Sequence, residues 1–102
     1  MIQRRDDRLI LSGAITFADA VQWREEVAKE IDRDGLVIDL AGVDEADSAA
    51  VSLLFEWMRE ASARGYALRY ANLPRAIVSL AEVYGVAALI PSVDTPAAAP
   101  VQ

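Results

Sequence analysis

Few side chains in this sequence could do chemistry, and most of them gather in one stretch, Asp44-Glu45-Ala46-Asp47-Ser48. Three carboxylates so close together suggest a divalent cation. Hard cations, however, want six or more oxygens in a set geometry, usually from a loop punctuated by glycine. No such punctuation is present, so solvated charge is the better reading and no metal is expected. Acid–base catalysis needs a second titratable group opposite the first. The sequence has no histidine and no cysteine, which removes the commonest general base, thiol nucleophiles and disulfides. Asp39, at the end of an apolar run, is expected to accept hydrogen bonds from nearby backbone N–H groups. The only lysine is Lys29, and no glycine-rich phosphate loop accompanies it, so no nucleotide or other cofactor is expected. What remains is the hydroxyl of Ser48. Asp47 and Ser48 both suit a helix N-cap, and the first N–H groups of a helix lack internal partners. A hydroxyl at such a place can hydrogen-bond a visiting protein or accept a phosphate.

The elements around this turn set its position. Leu36–Leu40 (LVIDL) reads as a central strand and Ala41–Ala46 as a loop. A helix then runs from Asp47–Ser48 to about Arg64, where Gly65 stops it. Upstream, Ile2–Arg5 and Arg8–Ser12 read as a hairpin around Asp6-Asp7. Thr16 with Asp19 forms a capping-box variant. From Phe17 to about Arg33 the apolar residues Phe17, Ala20, Trp23, Val27 and Ile31 recur at helical spacing. Tyr66–Tyr70 alternates like a strand. Asn72-Leu73-Pro74 reads as a capped helix start, with that helix reaching Tyr84 before Gly85. Residues 91–102 are rich in Pro and Ala and read as a flexible tail, leaving 1–90 as a single domain. The order β-β-α-β-α-β-α predicts an α/β fold: a mixed four-stranded sheet with parallel crossovers and helices packed mainly on one face.

On the second helix, steps of 100° put Val51, Leu54, Phe55, Met58 and Ala61 on the core side. Ala49, Leu53, Glu56 and Glu60 fall opposite, with Trp57 at the boundary. One outcome is a contact patch of Leu53, Trp57 and the alanines beside Ser48. The other is Trp57 folding back under the neighbouring helix. Burial of both Leu53 and Trp57 would remove the patch.

The net charge of −6 makes nucleic acid and anionic membrane surfaces poor partners. No apolar run approaches the roughly 20 residues needed to span a bilayer. The beginning of the chain lacks the apolar core of a signal peptide. A cytoplasmic location is the expectation.

Several of these residues together resemble the STAS domain family, which includes the bacterial anti-sigma-factor antagonists. The resemblance rests on Val37-Ile38-Asp39-Leu40-Ala41-Gly42-Val43, then Asp47-Ser48-Ala49-Ala50-Val51 and Leu53-Leu54, and on the later Asn72-Leu73-Pro74. It covers about residues 1–90. Within the family, the Asp47–Ala50 turn and the ending Ser79-Leu80-Ala81-Glu82-Val83-Tyr84-Gly85-Val86 are most similar to the small stand-alone subunit of Mla-type phospholipid-transport ABC systems. That resemblance implies a non-catalytic subunit bound to the transporter's cytoplasmic ATPase, peripheral to the inner membrane through its partner. The docking surface would be Asp47, Ser48, Ala49, Ser52, Leu53, Glu56 and Trp57. The alternative is a signalling module phosphorylated at Ser48. Anti-sigma-factor antagonists usually carry Asp-Ser-Ser-Gly or Asp-Ser-x-Gly here, with the second serine of the former as the usual target. This chain has Ala49 and Ala50 at the last two positions, which favours docking over a kinase switch.

Overall fold

The hairpin comes first. A computed structural model describes residues 1–93, in which β1 (Ile2–Arg5) and β2 (Arg8–Ile15) pair antiparallel around Asp6, whose φ of +55° makes the tight turn. A 3-10 turn (Phe17–Asp19) leads into α1 (Ala20–Ala28), followed by β3 (Leu36–Ala46), α2 (Ser48–Ala63), β4 (Leu68–Ala71), α3 (Arg75–Val83) and a second 3-10 turn (Ala87–Leu89). The sheet order is β1-β2-β3-β4, with β2–β3 and β3–β4 parallel. The predicted mixed four-stranded α/β sheet is therefore present.

Alternate strand residues meet the helices. Leu9, Leu11, Leu36, Ile38, Leu40, Leu68 and Tyr70 are buried and share one core with Trp23, Val27, Val51, Leu54, Ile77 and Ala81 of the helices. Residues between them along the strands, such as Arg8, Ile10, Val37, Asp39 and Arg69, are half-buried or exposed. The helices thus cover one face of the sheet and leave the other open.

The first helix differs from expectation at both ends. It opens with a 3-10 turn, so Phe17 does not follow the α-helical stripe and is 83% exposed. Asp19 takes the predicted role, accepting the Thr16 N–H at 3.1 Å. At the other end α1 stops at Ala28, about five residues early, yet Ile31 remains in the core. Arginines from other elements take the carbonyls there. Arg64 Nη1 donates to the carbonyls of Ala28 (2.9 Å) and Ile31 (2.7 Å), and Arg4 Nη1 to that of Glu30 (2.9 Å). Arg4 also pairs with Asp32 at 2.8 Å and Glu30 at 3.1 Å. The hydrogen bond from Arg4, reinforced by Arg33, holds the Asp32 carboxyl below its ordinary value.

The acidic segment Ala41–Ala46 is strand, not loop. It continues β3 against Ser12–Ile15 of a longer β2, with register shifts between Ile10 and Ser12 and between Gly13 and Ala14. Gly42 makes this approach possible: a Cβ there would stand 2.8 Å from Ser12 Cβ and 3.0 Å from the Leu11 carbonyl oxygen. Asn72 is also corrected. Pro74, not Asn72, is the N-cap of α3, and Asn72 sits at φ +56° with its amide donating to Asp39 Oδ1 at 2.9 Å. The same Asp39 oxygen accepts the Ala41 N–H at 2.9 Å, the backbone contact expected of it.

The expected tail begins at Pro91. Its first residues lie along β4: the Tyr70 N–H donates to the Pro91 carbonyl and the Val93 N–H to the Tyr70 carbonyl, both at 2.9 Å. The rest of that segment, 94–102, lies outside the described residues.

Candidate functional site

The turn after β3 is built around the Asp47 carboxylate. Asp47 is the N-cap of α2, and its Oδ1 accepts the Ala49 N–H at 2.9 Å. Its Oδ2 accepts the Phe17 N–H at 3.0 Å. One side chain therefore satisfies orphan donors at the start of two helical segments and holds them side by side. Because Asp47 does the capping, Ser48 is free of that duty. It is exposed, and its hydroxyl has no hydrogen-bond partner among the described residues.

Next to Ser48, α1 and α2 part to form an open groove of about 400 Å³. Ser48, Ala49, Ser52 and Glu56 of α2 form one wall. Phe17, Ala20, Val21 and Arg24 form the other. Phe17 and Val21 are 83% and 61% exposed, large apolar side chains left in water beside a polar helix start. Leu53 lies at the floor. Exposed apolar area edged by hydroxyls and single charges suits a protein contact. Among the described residues, no three acidic side chains converge in a way that could hold a metal ion.

The predicted exposure of Leu53 is overturned, and of the two outcomes open for Trp57 the one that occurs is folding under the neighbouring helix. Leu53 is 4% exposed and Trp57 1%, so the aromatic patch proposed for them does not exist. Trp57 lies under the first helix, with Nε1 donating to the Arg24 carbonyl at 3.4 Å. The physical reason is the arc that α2 buries: it packs on the sheet and also against α1 and α3, so its apolar sector is wider than one face. Val51, Leu54 and Ala61 are in the core as predicted, while Phe55 and Met58 are only partly buried against it. Of the predicted contact residues, Ser48, Ala49, Ser52 and Glu56 line the groove, Leu53 floors it, and Asp47 braces it from behind; Trp57 is absent.

Sequence reasoning missed the opposite wall. Helical spacing puts Phe17 in the core stripe, and Val21 lies outside that stripe, next to Glu25. A β-branched apolar residue beside Gln22 and Glu25 was the available signal.

A mixed sheet with a hairpin edge, helices on one face and a hydroxyl-bearing helix start after the central strand is the STAS-type α/β fold. The fold is similar to that of SpoIIAA, an anti-sigma factor antagonist in its unphosphorylated form (TM-score 0.69, 15% identity, 96% of this chain and 90% of that one). It is also similar to a putative anti-sigma factor antagonist of Thermotoga maritima (TM-score 0.70, 13% identity, 90% and 83%). A chain of the Acinetobacter MlaFEDB complex in an ATP-bound conformation matches at TM-score 0.76 and 21% identity, over 91% of this chain and all of that one. No curated protein matches significantly. Residues 1–91 match the family described as Mlab, STAS domain, and the chain belongs to that family.

Proposed function

We propose that this protein is a non-catalytic docking subunit that binds the cytoplasmic ATPase of an Mla-type phospholipid-transport ABC system and supports its assembly and activity. It would sit at the cytoplasmic side of the inner membrane, held there by its partner; none of the helices among the described residues is long and apolar enough to cross a bilayer. The observation that carries the proposal is the uncommitted Ser48 hydroxyl beside the exposed Phe17 and Val21. The family match and the likeness to a chain of MlaFEDB support it. A partner helix can place an apolar side chain in the groove and a polar group on Ser48. Arg24 and Glu56 on opposite walls would set its orientation.

Titration of the purified ATPase subunit against Ser48→Glu tests this. The added carboxylate meets like charge at Asp47, and a partner group docked on the hydroxyl would lose its hydrogen bond. Affinity should fall at least about tenfold, roughly 1.4 kcal/mol. Ser48→Ala should leave the melting temperature unchanged, because Asp47 does the capping. Wild-type affinity in the glutamate variant would overturn the proposal.

A further inference from the structure

The open face of the sheet carries a line of arginines. Register places Arg5 opposite Arg8, Arg8 opposite Val37 and Val37 opposite Arg69, so one row across all four strands holds three cations and a valine. The adjacent row is Gln3, Ile10, Asp39 and Ala71. Asp39 is the one carboxylate in these two rows. It is already committed, accepting Arg8 Nη1 at 3.1 Å together with the Ala41 N–H and the Asn72 amide. Arg5 and Arg69 are exposed and have no ion pair or hydrogen bond among the described residues. The hairpin acids Asp6 and Asp7 lie beyond the row and form no ion pair with it. Like charges directly opposite on paired strands cost stability. Arg8 is compensated from within the chain, whereas Arg5 is not.

This is a local reversal of sign on a protein whose net charge is −6. We infer that the open face is a second docking surface, separate from the Ser48 groove, and that its occupant is an acidic segment of a partner protein. Neighbouring strands stand about 4.8 Å apart. Carboxylates spaced roughly 5 and 10 Å apart would therefore meet the three guanidiniums. An apolar side chain between them would cover the half-buried Val37 and Ile10. Arginine forks bind carboxylates in bidentate fashion, which gives such a contact register as well as attraction. An anionic membrane fits less well. An extended charged plane also faces the acids at the ends of the sheet, whereas a short segment confined to this face is screened from charges more than about 8 Å away.

The test is fluorescence anisotropy with a labelled peptide of Glu-Glu-Leu repeats, a matched Gln-Gln-Leu peptide, and phosphatidylglycerol vesicles as a third arm. The full chain should bind the acidic peptide at low salt and release it at high salt. Its amide shifts in NMR spectra should centre on Ile10, Val37 and Arg69. The double variant Arg5→Glu/Arg69→Glu should weaken binding at least tenfold. Both side chains are exposed and unpaired, so the fold should survive; circular dichroism checks this, and Arg5→Gln/Arg69→Gln gives a milder version. Ser48→Glu should leave peptide binding unchanged, which separates this surface from the groove. Equal binding of the glutamine peptide, indifference to the arginine changes, or vesicle binding without peptide binding would each overturn the inference.

Discussion

Asp47 joins what the sequence separates by thirty residues: one oxygen serves α2 and the other serves the turn at Phe17. Asp47→Ala should therefore remove two hydrogen bonds at once and cost about 1–2 kcal/mol, at the upper end for a cap. Urea unfolding of the purified protein would measure it. The same change should also weaken partner binding more than Ser48→Ala does, because the groove wall carrying Phe17 loses its tether. At this scale the Ser48 turn was legible, since Asp and Ser before an apolar helix identify a cap. Its other wall was not. Phe17 follows a capping threonine and so reads as the first residue of an α-helical stripe, and only the 3-10 geometry turns it outward.

Among the elements, β3 departs furthest from its sequence reading. Asp44 and Glu45 are poor strand formers, yet pairing with the far half of β2 holds them extended, with Val43 buried between exposed neighbours. Tertiary pairing overrode local preference, and nothing in Ala41–Ala46 alone could reveal it. The glycine of the recognised pattern did hold a clue. Gly42→Ala would force a Cβ against Ser12 and the Leu11 carbonyl. A loss of roughly 1–3 kcal/mol is expected, as for other overpacked sites. Adding Ser12→Gly should restore part of it by removing the nearer contact, while the carbonyl contact remains. Thermal melts of the single and double variants would show both effects. Helix α2 teaches the complementary lesson. Its periodicity located the core side correctly, but the number of neighbours packed around it, which buries Leu53 and Trp57, is a property of the assembled domain.

For the molecule as a whole, Tyr70 links the sheet to the helix layer. Its hydroxyl donates to the Leu54 carbonyl at 2.6 Å, and burial pushes its pKa well above the ordinary value of 10.0. The unfolded chain releases that proton above pH 10, while the folded chain keeps it. Stability from this group is thus complete below pH 10 and declines as pH rises beyond it. Tyr70→Phe should cost about 1 kcal/mol at neutral pH and flatten the alkaline decline; stability curves at pH 7 to 11 would check both. The element order and the mixed sheet were readable because alternating strand and helix patterns admit few topologies. The openness of one face was less so: Val37 and Ile38 look equally apolar, and only the pairing shows which one faces the helices. The contact of Pro91–Val93 with Tyr70 has a last consequence, for aggregation. The outer flank of β4 is partly zipped shut by the chain's own backbone. Sideways polymerisation by strand stacking is then left mainly the opposite rim, where β1 is four residues long and ends in charged arginines.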